Sequence, residues 1–334
     1  EAIFALTGIM KMIGEVDQSP TIPRGFHPQI LGGLSAFNGA LSFLIAKSED
    51  SKRGIKTSNF RIDASIFEAN MYLTELGALT CYNNVPELGR MGINRFFPTY
   101  PLGIWPCNNG WLGVTVLSPA QWQAFCELLG LQDLAAIERY GSSAKRVEDV
   151  DIIEPRILEA FTNHCAEDLF YKGQKMRIPL ARVPTMAEVF DVDQYIHRKA
   201  FSTITDGKFS FKAPSQPVRL FDTPPKFGGT VAELGAHTSD WKYLKSNELR
   251  NKEDTSIKPS ELPLNGLTII DLGMGWAGPL AARNLADLGA TVIKVEGCVR
   301  FDWFRNWEAS QEWIDDDGAE KAINFIYVNR NKLD

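Results

Sequence analysis

The sequence predicts an α/β protein of two domains, and three observations carry that prediction. Residues 267–296 run strand, glycine-rich turn, helix, strand, the repeating unit of a Rossmann-like parallel sheet. The stretch 247–263 just before it is polar, charged and Pro-containing with almost no apolar periodicity, and reads as a linker. Upstream of the linker, helical and strand patterns mix. At 334 residues, with 44% hydrophobic and 23% charged residues, the chain is long enough to bury a core in each of two domains.

From the N-terminus, residues 1–14 and 30–47 carry apolar residues at helical spacing on either side of a turn-forming loop, Ser19-Pro20-Thr21-Ile22-Pro23-Arg24-Gly25. Leu31 to Ala46 is broken by Gly32, Gly33, Ser35 and Asn38, short of the roughly 18 apolar residues of a membrane span, so a buried helix and no membrane contact are expected. Residues 58–64 alternate like a strand, and Ser65 to Tyr82 reads as a long helix capped by Asp63 or Ser65. Residues 83–106 read as irregular. A strand at 110–116, helices at 119–129, 154–161 and 166–175, a strand at 178–183 and a helix starting at 186 suggest a compact α/β or α+β domain. Prolines and short strands dominate 206–227. Leu267–Leu272 then reads as a β-branched strand, Pro279–Leu288 as a helix with Pro in its first turn, and Ala290–Glu296 as a second strand.

Composition excludes several functions. A net charge of -6 argues against nucleic-acid binding. Cys81, Cys107, Cys126, Cys165 and Cys298 lack Cys-x-x-Cys spacing, which fits a reducing, cytoplasmic setting without disulfides. His27, His164, His197 and His237 have no companions at metal-ligand spacing, so no metal is expected. The chain opens on Glu1 in helical pattern and stops at Asp334 without a terminating signal, so both ends read as internal to a longer protein.

Gly273-Met274-Gly275-Trp276-Ala277-Gly278 satisfies Gly-x-Gly-x-x-Gly between a strand and a helix, with Glu296 ending the next strand. By itself this is a dinucleotide fingerprint, the glycines admitting a pyrophosphate and the acid taking ribose hydroxyls. A longer pattern surrounds it: Pro263-Leu264-Asn265-Gly266, Ala277-Gly278-Pro279, Leu285-Ala286-Asp287-Leu288-Gly289-Ala290-Thr291-Val292-Ile293-Lys294-Val295-Glu296, and Asn329-Arg330-Asn331-Lys332. In this order these segments resemble the opening of the family III (CaiB/BaiF) CoA-transferases. Ala2–Gly14, Leu31–Ile45, Arg53-Gly54, Asp63–Glu68, Trp111–Leu129, Ile178–Val189 and Gly235-Ala236-His237-Thr238 resemble later parts of the same family. The expected organisation is therefore the C-terminal part of a first copy (1–250, small domain about 86–190), a linker (251–262), and the start of a second copy (263–334).

The resemblance implies a Rossmann-like large domain with a small α/β domain. It implies CoA transfer between an acyl-CoA and a carboxylic acid, with CoA as substrate and no permanently bound cofactor. The partner is expected to be a second chain in an interlinked homodimer, or the second copy in an intramolecular pseudo-dimer. The family's nucleophile is an Asp that attacks the thioester carbonyl to give an enzyme-bound anhydride, and the matching position here is Gln29. A neutral amide cannot supply that carboxylate, so no catalytic residue is expected in the fragment. His27 is a substitute nucleophile or base, or a plain loop histidine. For CoA, the resemblance points to Trp276, Ala277 and Gly278, with Arg300, Asn331 and Lys332 for its phosphates; Gly297-Cys298 departs from the basic residue that often follows the second strand. An acyl-CoA racemase or lyase on this scaffold, or a dinucleotide-binding oxidoreductase, remains an alternative. A tandem with a nucleophile-deficient first copy is similar to the family branch acting as dimethylsulfoniopropionate CoA-transferase/lyases. A sulfonium cage is conceivable from Tyr100, Trp105 and Trp111, whose usual use is packing.

Overall fold

A computed structural model describes residues 1–54, 61–74, 77, 89–207, 209–226, 231–239, 262–297, 301–305, 311 and 315–333. The chain begins with helix α1 (Ala2–Leu6), a 3-10 turn at Ile9–Lys11, α2 (His27–Lys52) and α3 (Ile66–Met71). Strands β1 (Leu102–Cys107) and β2 (Gly110–Thr115) follow, then helices α4 (Pro119–Leu129), α5 (Gln132–Ala135), α6 (Ser143–Glu148), α7 (Val150–Thr162) and α8 (Ala166–Lys175). Strand β3 (Leu180–Arg182), helix α9 (Asp193–His197) and the hairpin β4 (Phe201–Asp206) and β5 (Phe209–Pro214) complete the middle region. The C-terminal elements are β6 (Thr268–Asp271), α10 (Ala277–Asp287), β7 (Thr291–Lys294), α11 (Ile323–Asn329) and β8 (Lys332–Leu333).

Two compact units result. One joins Glu1–Ile93 to Glu253–Asp334, and the other is Asn94–Lys252. In the first unit β6, β7 and β8 form a parallel sheet in that order, with Thr268 opposite Thr291 and Val292 opposite Lys332. Helix α10 buries Ala282 and Ala286 against Leu264, Ala290 and Val292, and Ile45 of α2 packs on the same cluster. Alanines on the packed face let the helix axis close on the sheet. A second cluster of Phe304, Phe325, Tyr327 and Val328 takes in Tyr72 and Trp276. Arg283, fully buried, lies 4.9 Å from the Tyr72 ring and 4.4 Å from the Tyr327 ring. The N-terminal helices thus share their core with the C-terminal βαβ segment.

Several local expectations change. The first helical stretch breaks at Gly8, where φ is +78° and a helix cannot continue. Residues 61–65 are not strand, and 58–60 lie outside the described residues. Ser65 rather than Asp63 caps α3, its hydroxyl accepting the Glu68 N–H at 3.2 Å, and α3 runs to Met71, while 75, 76 and 78–82 of the expected long helix lie outside the described residues. Helix α2 is longer than its apolar pattern and is not buried: only Pro28, Gly32 and Ser42 are shielded along it. By length and composition alone it is apolar enough to cross a membrane.

In the second unit β1, β2 and β3 form an antiparallel sheet in which Trp105 sits opposite Leu112 and Val114 opposite Leu180. Strand β1 falls in the stretch that reads as irregular, because its glycine and proline mask the alternation. The inward side chains meet Trp122 and Phe125 of α4, Ile153, Ile157 and Phe161 of α7, and Leu169 of α8, all buried. Helix α4 has a full capping box, Ser118 with Gln121, and ends on Gly130 in the left-handed region, which explains why the sequence bounds it so well. Tyr100 and Trp105 are fully buried in edge-to-face contact at 6.4 Å, whereas Trp111 is exposed. Tyr100 and Trp105 therefore pack in the core while Trp111 stays apart from them, and the three do not form a cage.

Arg146 organises this unit. Its guanidinium is fully buried and donates to the carbonyls of Tyr100 (2.6 Å), Tyr140, Gly141 (3.4 Å) and Val116 (3.4 Å), while lying 4.8 Å from the Trp122 ring. Burial pulls its pKa down to about 10. Replacing it with leucine orphans several carbonyls, each costing about 1–3 kcal/mol when buried unpaired, so Arg146→Leu is expected to lower stability by about 3 kcal/mol. Urea unfolding followed by tryptophan fluorescence measures this; a loss below about 1 kcal/mol would show the carbonyls find other partners.

Candidate functional site

The turn between β6 and α10 carries the glycine motif. Asp271 ends the strand, and its Oδ1 accepts the Gly273 N–H at 2.9 Å, starting the turn. A Cβ on Gly273 would stand 2.9 Å from the Gly278 Cα and 2.9 Å from Pro279 Cδ, so the two backbone segments cross in contact. Gly275 has φ +70°, and a Cβ there would lie 2.0 Å from the Trp303 ring. Helix α10 opens at Ala277 without a side-chain cap. Its first-turn N–H groups have no intrahelical acceptor, and Pro279 contributes none. The result is a glycine turn running into a positively polarised helix end, a geometry suited to a phosphate or carboxylate.

Beneath the turn lies a set of buried charges. Lys294 donates to the Gly273 carbonyl and to Asp302 Oδ2 at 3.1 Å, with the ion-pair side chains 2% and 0% exposed. Asp302 Oδ1 accepts the N–H groups of Gly275 (2.8 Å) and Phe304 (3.0 Å). Lys332 donates to Asp271 Oδ2 (2.8 Å), the Pro279 carbonyl (2.9 Å) and Asn329 Oδ1 (2.7 Å). Burial holds the Lys332 ammonium below the usual lysine range, opposed by its bond to Asp271. Glu296 accepts the Asp302 N–H at 2.8 Å and pairs with Arg305 at 2.8 Å.

Trp276, Ala277 and Gly278 lie together at the start of α10. The Trp276 ring packs edge-on against Phe304 at 5.6 Å and at a tilt against Tyr327 at 5.9 Å, so it anchors the turn to the second core cluster. Lys332 comes up beside them from below, through Asp271 and Pro279. Asn331 is elsewhere, donating to Asp287 at the far end of α10 at 2.7 Å. Arg300 lies outside the described residues. Both carboxylate oxygens of Glu296 are engaged within the chain, which removes the acid that a dinucleotide reading requires for ribose. Gln29 is exposed in the first turn of α2, a turn without an acidic residue, and His27 Nε2 sits 2.9 Å from the Arg24 carbonyl. Among the described residues no group of His, Cys, Asp and Glu could hold a metal.

Sequence reasoning missed Lys294, Asp302 and Arg305 as supports of the turn. One signal was available: strand alternation puts Lys294 on the same side as the fully buried Val292, and a lysine facing a core demands an anion. Lys294→Met leaves Asp302 buried and unpaired and is expected to cost about 3 kcal/mol in denaturant unfolding. Adding Asp302→Asn removes that charge and should recover part of the loss; strict additivity of the two substitutions would show that they do not act as a pair.

Comparison with known proteins bears on the whole chain. The model of CoA-transferase family III matches residues 1–238 and 264–334. A probable CoA-transferase of Mycobacterium tuberculosis is 24% identical over 343 residues, covering 99% of this chain and 40% of that protein. Succinyl-CoA:mesaconate CoA-transferase of Haloarcula marismortui is 24% identical over 71% of this chain and 58% of its own length. The chain thus spans well under two thirds of these relatives. A crystal structure of a CaiB/BaiF family protein from Brucella suis shares the fold, with a TM-score of 0.57 at 21% identity over 72% of this chain and 61% of that one. With the family match running through both the N-terminal helices and the C-terminal glycine turn, the chain belongs to CoA-transferase family III.

Proposed function

We propose that the chain is part of a tandem CoA-transferase that moves CoA between an acyl-CoA and a carboxylic acid. In this reading the turn 272–278 and the first turn of α10 receive a phosphate of the CoA nucleotide. The observation that carries it is a turn already held in shape by buried groups: Gly273 and Gly278 in contact, Gly275 tied to Asp302, and Lys294 beneath. A binding surface that is ordered beforehand loses little freedom when the anion arrives. Ala277 and Gly278 supply N–H donors and Arg300 a countercharge. Lys332 and Asn331 act from within the scaffold, and Trp276 fixes the turn from its inner side.

The nucleophile in this reading is an Asp carboxylate. It attacks the thioester carbonyl, the C–S bond breaks, and CoA leaves as a thiolate while an aspartyl anhydride remains; a carboxylate suits the step because it is nucleophilic when ionised and its anhydride stays reactive. Gln29 cannot play this part, and the first turn of α2 offers no acid in its place. The working Asp then belongs to the second copy, beyond residue 334.

Two expectations on the full-length protein test this. Ala277→Asp puts a carboxylate where the phosphate would sit, without harming a helix N-terminus; KM for acyl-CoA should rise about tenfold or more while kcat changes less. An unchanged KM would remove the turn from CoA binding. Gln29→Ala should leave kcat for acyl exchange within about twofold, and a loss near a hundredfold would make position 29 part of the chemistry.

A further inference from the structure

The turn between β1 and β2 is fastened to the start of α8, and that joint brings two cysteines together. Asn108 donates its N–H to the His164 carbonyl at 3.0 Å. The Asn109 amide holds the same place, its Nδ2 donating to Cys165 Sγ at 3.0 Å and its Oδ1 accepting the Ala166 N–H at 2.9 Å. The N–H of the backbone bond follows Cys107 and its carbonyl precedes Cys165, so the two cysteines flank one hydrogen bond. Strand alternation sets Cys107 on the same face of β1 as Trp105, whose ring packs on Phe161 at 6.1 Å, near the end of α7. His164 and Cys165 follow directly on that side. Both cysteines are part-buried and carry free thiols.

The two thiols also sense each other. Burial pushes the Cys107 thiol up to about 11, and the neighbouring Cys165 adds to the rise. A disulfide needs Cα atoms about 4.4–6.8 Å apart, a separation that facing residues of hydrogen-bonded segments ordinarily have. We propose that Cys107 and Cys165 form a dithiol that a small-molecule disulfide, oxidised glutathione, closes into a covalent bond between the β1–β2 turn and α8. Cys165 begins the exchange, because the buried Cys107 holds its proton. The Cys165 thiolate attacks one sulfur of glutathione disulfide, whose S–S bond breaks and releases one glutathione thiolate. Cys107 then gives its proton to the solvent and attacks Cys165 Sγ in the mixed disulfide, and the second glutathione leaves. The two protein thiols give up two electrons, and one glutathione disulfide takes them to become two thiols. Cys126 is fully buried and out of the reagent's reach. The closed bond ties off a long loop of the second unit, which restrains the unfolded chain and stabilises that unit. This stands apart from the transferase reading and can fail without it.

Incubating the native chain with glutathione disulfide and mapping its peptides by mass spectrometry tests it. The expected product links the peptides of Cys107 and Cys165 and returns to free thiols with dithiothreitol. Iodoacetamide labelling of both residues should fall at least about tenfold, while labelling of Cys126 stays as it was. The urea midpoint, followed by tryptophan fluorescence, should lie higher for the oxidised chain than for the reduced one. In Cys107→Ser the exchange should stop at a glutathione on Cys165, and in Cys165→Ser position 107 should stay unmodified. Far-UV circular dichroism shows whether each variant is folded, and the map of the unaltered chain decides without them. Two thiols that stay free, a lasting glutathione adduct with no bond between 107 and 165, or a link that forms only in urea each overturn the proposal. So does a link from either residue to Cys81 or Cys298 in place of the other.

Discussion

The first unit depends on burying charge under a glycine turn. Gly273, Gly275 and Gly278 let the chain fold back on itself more tightly than any side chain allows, but such a turn leaves backbone groups that neither strand nor helix satisfies. Lys294 takes the Gly273 carbonyl, Asp302 takes the Gly275 N–H, and Asp271 takes the Gly273 N–H. Lys332 then balances Asp271 and reaches the Pro279 carbonyl. Each charge is tolerable in the interior because another neutralises it and because the turn absorbs the remaining hydrogen-bonding capacity. The β8 strand, which carries Lys332, is for the same reason as much a part of the turn as the residues within it.

The second unit solves a similar problem with one cation and no anion. Arg146 gathers carbonyls from the loop before β1, from the end of β2 and from the turn preceding α6, and stacks over Trp122. Its planar fork has enough donors to serve several carbonyls at once, which a lysine could not do with fixed geometry. The loss of its hydration is visible in the lowered pKa, and the return is a loop cluster held against an aromatic core.

Helix α2 divides its surface between packing and solvent. Its first turn places Gln29 in solvent where the family resemblance would put an attacking carboxylate, and its length is given to an apolar seam facing outward. Meanwhile Ile45, on another side of the same helix, joins the cluster beneath α10. One helix therefore braces the glycine turn's own domain and leaves its other face in solvent, a division made possible by the glycines and serines that thin its packed side.

By itself the sequence determined the elements whose signals are local. The capping box set α4, the acidic first turn and basic last turn of Ala166–Lys175 matched α8, and the β-branched runs and glycine motif set β6, α10 and β7. The same local motifs carried the family, since its residues lie contiguously along the turn and strand. Tertiary structure alone decided what depends on distant partners. It turned Lys332 inward to Asp271, spent Glu296 on Arg305, set Tyr100 and Trp105 into a core, and left the apolar face of α2 in the open. The physical reason is that periodicity states which residues share a face and which charges need partners, whereas only the packing of remote segments states which face is covered and which partner is found.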